Sequence, residues 1–321
     1  MKSSKSKTSN GKKPLVAIVI VNWNGGQTII NCIKSLEMTD YPNYKVILVD
    51  NGSSDGSLEK IIKINPEMEV IKLDKNYGYT IATNVGWRYG LKKLKADYIC
   101  AMDSDIVTVQ RNWLSLEINE LEKSNERGIG CGKLTFPDGR VQLLYFEREH
   151  SQYLEKDVGQ YDFVRETKAV GGACIIIKKE VIQKIGYYDE HFFYGPNDID
   201  YCFRANMAGF KVIYNGYAKS IHVGSFSGRS GAKDFIYGHQ SYGQMVFWFR
   251  HGKWFDKINT VKEQFIRVFL TRVDPYKAKS LHNTLFHLTF YKRAGSFLKS
   301  WWKAARDYKK VFNETSAKLS K

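Results

Sequence analysis

The 321-residue sequence contains no long hydrophobic run and few of the features that mark secreted or membrane-spanning proteins. Its longest aliphatic run, residues 15–21, is far shorter than the about 20 residues that a spanning helix needs. The lysine-rich N-terminus has no apolar stretch before a small-residue cleavage site, so we expect no secretory signal. Five cysteines, odd in number and without a C-x-x-C pair, favour free thiols in a reducing cytoplasm over disulfides or zinc.

Three glycine-containing motifs of common enzymes are also missing. No G-x-G-x-x-G follows the first apolar run, which argues against a dinucleotide-binding turn. No G-x-x-x-x-G-K-[ST] is present, so a P-loop is excluded. The absence of G-x-S-x-G weakens an α/β-hydrolase interpretation.

Acidic residues are absent from residues 1–13, which hold five lysines, and scarce in residues 251–321, where 16 basic side chains stand against 5 acidic ones. The formal net charge of +16 therefore belongs to the two ends, because residues 14–250 carry 28 basic and 28 acidic side chains. A neutral body offers no basic groove, so we predict no nucleic-acid partner. The pattern predicts a basic disordered tail (1–13), a folded domain (14–250) and a basic amphipathic helical segment (251–321).

Two periodicities alternate along the body. Short aliphatic runs at 15–21, 45–49, 69–73 and 97–102 predict buried strands, and stretches with helical spacing lie between them. This alternation predicts an α/β fold, with parallel βαβ units and helices on both faces of the sheet. Further along, helices are predicted at 113–123 and 197–208, strands at 169–177, 210–214 and 218–221, and a hairpin or long excursion at 136–168. Residues 224–233 are either a lid or a plain connector.

Polar side chains follow each of the first four predicted strands. Asn22, Asp50, Asn76 and Asp103 occupy these positions. Ligands of open parallel sheets bind beyond the carboxyl ends of the strands, so a site is expected there. Asn, Asp and Gly also end strands for purely structural reasons, but four successive occurrences favour a site.

Asp103 and Asp105 lie two residues apart on an extended segment, so their side chains share one side. Such a pair suits Mg²⁺ or Mn²⁺, hard cations that bind oxygen ligands and phosphates. The pattern alone is weak, because Asp198 and Asp200 have the same spacing and are equally consistent with a helix N-terminal pair. Only the position of Asp103 and Asp105 at a strand end separates the two cases.

Several segments of the folded domain, together with single residues, resemble those of a known family. The segments VIVNWNG (19–25), VDNGSSDGS (49–57), KNYGY (75–79), GGAC (171–174), IGYYDEHFF (185–193) and NDIDYCFR (197–204), together with Asp103-Ser104-Asp105 and His222, are similar to family 2 inverting glycosyltransferases. The rhamnosyltransferase-like branch matches best, over about residues 14–228. The resemblance implies a GT-A type, Rossmann-like and mostly parallel sheet, followed here by the C-terminal helical segment.

The resemblance also implies roles for individual residues. Asp50 would contact the nucleotide base, and Asp103 would lie near the ribose or the metal. Asp105 would ligate Mg²⁺ or Mn²⁺, and His222, which could also be an ordinary half-buried histidine, would complete that site. Asp198 would be the catalytic base. Three asparagines would line the nucleotide-sugar pocket: Asn22, Asn76 and Asn84.

The implied function is transfer of a sugar from a nucleotide-diphosphate donor, UDP- or dTDP-linked, to a hydroxyl of a glycan or lipid-linked glycan. Two positions depart from the family pattern: Asn197 stands where the family usually has Glu, and Ala82 where it often has Gly. A sugar-nucleotide nucleotidyltransferase and a non-catalytic carbohydrate- or membrane-binding scaffold remain alternatives. Neither the donor sugar nor the acceptor follows from the sequence.

Residues 251–321 combine their basic charge with many aromatic side chains, Trp254, Phe255, Trp301 and Trp302 among them. This composition is typical of interfacial helices on anionic membranes, and equally of helices that pack on the domain. The sequence thus predicts a cytoplasmic enzyme, peripheral on the inner face of the cell membrane.

Overall fold

The computed structural model describes residues 13–142, 153–193 and 195–224, together with 242–243, 246–247, 250–251 and 302. The three long ranges contain six helices and eleven strands. The helices are α1 Gly26–Leu36, α2 Ser57–Ile64, α3 Tyr79–Lys92, α4 Trp113–Leu121, α5 Lys179–Ile185 and α6 Asn197–Met207. The strands are β1 Val16–Asn22, β2 Tyr44–Asn51, β3 Glu69–Leu73, β4 Tyr98–Met102, β5 Ile106–Thr108, β6 Arg127–Thr135, β7 Arg140–Gln142, β8 Tyr153–Lys156, β9 Val164–Thr167, β10 Cys174–Lys178 and β11 Lys211–His222.

The first third of the chain forms a parallel sheet in the order β3-β2-β1-β4. Every residue of β1 is buried. Ile18 and Ile20 pack with α1 in one apolar cluster, whereas Val19 and Val21 pack with α3 in a second cluster on the opposite face. Successive side chains of a strand point to opposite faces, so helices on both faces demand the continuous apolar run that the sequence shows.

The rest of the sheet is mixed. β10 lies antiparallel between β4 and β6, and β11 is parallel to β6. The shorter strands β5, β7, β8 and β9 add antiparallel pairs at the rim. The predicted α/β fold with helices on both faces is confirmed, and its parallel pairs are β3-β2-β1-β4 and β6-β11. Antiparallel pairs need no crossover helix, so the strand–helix alternation of the sequence stops after β4.

Two predicted strands differ in extent from those observed. β10 begins at Cys174 rather than at 169, because Gly172 turns the chain and its amide bonds to Asp198. The strands predicted at 210–214 and 218–221 are one strand, β11, interrupted by a register shift between Asn215 and Lys219. β7 and β8 are antiparallel, as expected of a hairpin within 136–168, although 143–152 lie outside the described residues.

The predicted tail, the 224–233 loop and the C-terminal segment fall largely outside the described residues. Within the described parts of the chain, none of the helices combines the length and apolarity that a bilayer crossing requires. All five cysteines are buried, and none is in a disulfide.

One buried acid makes stability depend on pH. Glu117 on α4 is 2% exposed, and among the described residues its Oε1 has no hydrogen-bond partner. Burial raises the pKa of this carboxyl from its ordinary 4.5 to about 8. The folded state therefore binds more protons than the unfolded state between these values, and stability falls as pH rises from about 4.5 to about 8.

We expect Glu117→Gln to flatten this dependence, since the variant cannot charge. The free energy of unfolding of the parent chain should drop by roughly 2–5 kcal/mol between pH 5 and pH 9, and that of the variant by much less. Urea unfolding at both pH values measures this difference. Glu59→Gln, an exposed change on α2, is the control; parallel pH curves for Glu117→Gln and the parent chain would contradict the assignment.

Candidate functional site

The parallel register brings the polar strand ends together at one edge of the sheet. Asn22 at the end of β1 pairs in register with Asp50 near the end of β2. Met102, the last residue of β4, immediately precedes Asp103, and Asn76 follows the end of β3. The predicted meeting of these residues at the carboxyl ends is thus observed.

Asn22 braces the loop that follows β2. It is fully buried, and its Nδ2 donates to Asp50 Oδ1 at 2.9 Å, to Ser57 Oγ at 2.9 Å and to Ser53 Oγ at 3.1 Å. Its Oδ1 accepts the Gly25 amide at 3.2 Å. Asn22 therefore acts in this structure through Asp50, which it fixes in orientation.

Asp50 is 3% exposed and is held from two sides. Besides Asn22, the Ser53 amide donates to its Oδ2 at 3.2 Å. A carboxylate with both oxygens engaged is rigid, which suits a residue that must recognise a planar base. Its base contact stays a prediction.

Asn76 shapes the turn between β3 and α3. Its Oδ1 accepts from Asn51 Nδ2 at 2.9 Å and from the Gly78 amide at 2.8 Å. Gly78 has a φ of +91°, and an added Cβ would lie 2.7 Å from the Phe193 ring. Only glycine meets both conditions, so this turn brings the 193 segment against the start of α3.

Asn84 reaches the other half of the site from α3. It is fully buried, donates to the Tyr188 carbonyl at 2.9 Å and to Glu190 Oε1 at 3.1 Å, and accepts the Tyr188 amide at 3.1 Å. These bonds tie the IGYYDEHFF segment to the parallel sheet. Its predicted contact with the donor sugar stays a prediction.

Asp103, Asp105 and His222 form a cluster that could hold a metal ion. One ligand atom from each lies within 4.8 Å of the others, and His222 Nε2 is 3.2 Å from Asp105 Oδ1. Distant parts of the chain supply these side chains: the acids follow β4, and the histidine ends β11. The antiparallel pairing of β11 with β5 joins them by placing His222 beside Ile106.

Two residues that the sequence did not single out orient the cluster. Gln142 Oε1 lies 2.7 Å from Nδ1 of His222, which leaves Nε2 toward the carboxylates. The Phe136 ring stacks on the imidazole at 6.5 Å and 16°. Both residues lie in the aperiodic stretch at 136–168, where no sequence signal marked them.

The cluster has an excess of negative charge. Burial and the neighbouring Asp105 raise the pKa of Asp103 to about 7, against a bond from Tyr79 that lowers it. Burial lowers the pKa of His222, but Asp105 and Asp103 outweigh it and raise the value overall. Two carboxylates crowded in a half-buried place are stabilised by a cation, and two oxygens and one imidazole nitrogen are ligands that Mn²⁺ and Mg²⁺ accept. The residues present therefore fit a divalent cation.

Asp198 lies in the first turn of α6, where the helix dipole favours an anion. Its Oδ2 accepts the Gly172 amide at 2.6 Å. An added Cβ on Gly172 would lie 2.5 Å from the Asp198 Cβ, so the glycine is needed for this close approach. Burial raises the pKa of Asp198, backbone amides including that of Gly172 lower it in part, and the net shift is upward.

The two departures from the family pattern have local explanations. The buried Asn197 turns back to accept the Gly195 amide at 3.1 Å, so it closes the turn before α6. Ala82 is fully buried against the apolar cluster of α3. Arg204, the last residue of the NDIDYCFR segment, is also buried and bonds Asp200 and the carbonyls of Ile185 and Tyr187.

A family model described as glycosyl transferase family 2 matches residues 17–186. The amylovoran biosynthesis glycosyltransferase AmsB of Erwinia amylovora is 28% identical over 61% of this chain and 65% of its own. Glycosyltransferase AglE of Haloferax volcanii is 21% identical over 73% and 74%. The O-antigen biosynthesis protein RfbC of Myxococcus xanthus is 24% identical over 68% of this chain, which spans only 18% of that relative.

Solved structures share the fold at low identity. The mannosyltransferase PcManGT from Pyrobaculum calidifontis, in complex with GDP-Man and Mn²⁺, has a TM-score of 0.53 at 13% identity, over 96% of this chain and 88% of its own. GalNAc-T7 with UDP, GalNAc and Mn²⁺ has a TM-score of 0.59 at 15% identity, over 93% and 58%. These likenesses establish the GT-A fold, as predicted. Because the matched model covers more than half of the sequence, the chain belongs to glycosyl transferase family 2.

Proposed function

We propose that this protein is a metal-dependent inverting glycosyltransferase that moves a sugar from a nucleotide-diphosphate donor to a hydroxyl of a glycan or lipid-linked glycan. The observation that carries the proposal is the meeting of Asp103, Asp105 and His222 at the sheet edge where Asp50 and Asp198 also lie. Relatives named for O-antigen and amylovoran biosynthesis support a glycan acceptor. A bound Mn²⁺ or Mg²⁺ would neutralise charge on the departing diphosphate.

Each residue of the site has a separate role in this proposal. Asp103, Asp105 and His222 would hold the cation, and Asp50, oriented by Asn22, would contact the nucleotide base. Asp198 accepts the proton of the acceptor hydroxyl while the oxygen of that hydroxyl bonds to the anomeric carbon. The bond from that carbon to the diphosphate oxygen breaks, so the nucleoside diphosphate leaves with the electron pair. One displacement inverts the anomeric centre without a covalent enzyme intermediate.

A nucleotide panel tests the donor. Thermal unfolding of the full chain is measured with UDP, dTDP and GDP and their sugars, with Mn²⁺, with Mg²⁺ and with EDTA. A ligand bound only by the folded state raises the melting temperature by mass action. We expect UDP or dTDP to stabilise the protein only with metal, and failure of every nucleotide would contradict the proposal. Binding without sugar release would instead favour a non-catalytic scaffold.

We propose further that the basic, aromatic segment 251–321 holds the enzyme on the inner face of the cell membrane. The support is compositional, because each Lys or Arg near an anionic surface contributes about 1 kcal/mol at most and aromatic side chains enter the interface. Co-sedimentation of the full chain with vesicles containing anionic phosphatidylglycerol should exceed that with pure phosphatidylcholine. High salt should reduce binding, and equal recovery from both vesicles would contradict the proposal.

A further inference from the structure

A group of buried ions lies directly behind the turn that carries Asp198. Asp200, two residues further along α6, is fully buried. Its Oδ2 accepts from Arg204 Nε at 2.8 Å, and its Oδ1 lies 2.6 Å from an Arg250 guanidinium nitrogen and 2.9 Å from Nε2 of His251. Burial acts to raise the pKa of Asp200, but these partners hold it well below its usual range.

Arg250 joins two separate segments. One guanidinium nitrogen bonds Asp200 on α6, and another bonds Asp189 Oδ2 at 2.5 Å in the segment before that helix. The Arg250 side chain is 5% exposed, and Asp189 and Asp200 raise its pKa although burial acts to lower it. A planar guanidinium can bond two carboxylates at once, which an ammonium group does not do with the same geometry.

The helical residues around Arg250 also contact α6 through apolar and backbone atoms. The Phe247 ring meets Phe203 edge-on at 5.2 Å and 87°. Gly243 lies so close to the chain before α6 that an added Cβ would be 2.3 Å from the Gly195 carbonyl oxygen. This contact surface therefore reaches from the residues just before α6 to its second turn.

Asp198 lies in the first turn of α6, two residues before Asp200, and is partly exposed. The Gly172 amide fixes its carboxylate at 2.6 Å, so a small displacement of α6 would lengthen or misalign that bond. The charged or titratable groups that act on Asp198 are Asp200 from its own helix, Asp103 beyond β4, Tyr188, Cys131 and Cys202. Of these, Asp200 is the one that Arg250 and His251 contact.

We propose that Arg250 and His251 are positioning residues for sugar transfer: they hold the first turn of α6 so that Asp198 faces the acceptor, and they offset the charge of Asp200 behind it. This proposal rests on the proposed function of Asp198 as the base. It extends the catalytic unit beyond residues 14–228 of the resemblance, to the residues that lead into the basic C-terminal segment.

The test compares Arg250→Met and Arg250→Lys in the full chain, with release of nucleoside diphosphate from UDP-glucose, UDP-galactose and dTDP-rhamnose plus Mn²⁺ as the assay. We expect Arg250→Met to lower kcat by about 10–100-fold, the order that a displacement of about 1 Å costs, with the donor KM within about twofold. The acid limb of the kcat profile should move to higher pH, because Asp200, left with Arg204 and His251 as its partners, raises the pKa of Asp198 more than it does beside Arg250. Arg250→Lys keeps a cation, so its acid limb should lie at the wild-type pH, whereas its kcat should recover only in part.

Arg127→Met is the matched control. Arg127, at the start of β6, forms a partly buried ion pair with Glu120. Because β6 runs parallel to β11, the start of β6 lies at the opposite end of the sheet from His222, the last residue of β11. Its loss should lower stability without moving the pH limb. If Arg250→Met does not fold, the test rests on Arg250→Lys and His251→Gln. A wild-type kcat and a wild-type acid limb in both of these variants would overturn the proposal.

The same experiment separates this proposal from the function it rests on. Near-normal turnover in Asp198→Asn overturns the base assignment and the positioning role with it. An inactive Asp198→Asn with fully active Arg250 variants overturns the positioning role alone.

Discussion

Replacing Asp198 with asparagine is expected to lower kcat by about 10²–10⁴-fold, the usual contribution of a general base. Asparagine is isosteric and keeps an oxygen that can accept the Gly172 amide, so the turn of α6 should stay in place. What it loses is the ability to take a proton from the acceptor hydroxyl. Binding of UDP with Mn²⁺ should change little, because the predicted nucleotide contacts lie on β1, β2 and α3 and just after β3 and β4, and none lies on α6.

The pH profile gives a second measurement on the same residue. Burial raises the pKa of Asp198, so turnover of the parent enzyme should fall as pH drops through a value above the ordinary 3.8. The residual activity of Asp198→Asn should lack that acid limb. Asp40→Asn, an exposed change between α1 and β2, is the matched control and should keep both rate and profile. Near-normal kcat in Asp198→Asn would show that another group is the base.

Loss of a residue that only hydrogen-bonds to a metal ligand weakens metal binding by about 10–100-fold. Replacing Asp105, which is proposed as a ligand itself, with asparagine is expected to weaken Mn²⁺ binding by more than that. The carboxylate is half of the acid pair and lies 3.2 Å from His222, so its loss removes both a ligand and a charge. Turnover should fall in parallel at fixed Mn²⁺ and recover partly at high Mn²⁺. Titration of free Mn²⁺ by electron paramagnetic resonance measures binding independently of activity.

This experiment also distinguishes a metal site from a buried ion network. If the three side chains only stabilise one another, Asp105→Asn should lower the melting temperature without changing Mn²⁺ affinity. Asp40→Asn again controls for the loss of one charge. Unchanged Mn²⁺ affinity, with the same nucleotide stabilisation in EDTA as in Mn²⁺, would contradict the metal assignment.

Much of the fold was predictable because local pattern and burial agree. Strands β1, β2 and β4 contain continuous, largely buried apolar runs, so period and length alone identify them. The second half was predicted less well for a physical reason. β10 and β11 run beside strands distant in sequence, and the short strands β5, β7 and β9 gain their stability from those neighbours rather than from their own residues.

The candidate site divides in the same way. Motif spacing pointed to Asp103, Asp105, His222 and Asp198 through the family resemblance, and the first three do come together. Gln142 and Phe136 beside His222 had no motif, because a single polar or aromatic residue in an aperiodic stretch carries no period. The asparagines predicted as ligand contacts bond mainly to the protein: Asn22 and Asn84 are fully buried, and their amide groups orient Asp50 and the 188–190 segment.

By itself, the sequence determined the α/β class, the carboxyl-end location of the polar residues, the family and the neutrality of residues 14–250 against basic ends. These properties depend on residue order and composition, which periodicity and charge counting read directly. Only the tertiary structure decided which carboxylates meet His222, which glycine anchors Asp198, and that Arg250 and His251 bond Asp200 behind the base. Those contacts join residues up to 119 positions apart, and their geometry depends on sheet register and helix packing, which no local pattern encodes.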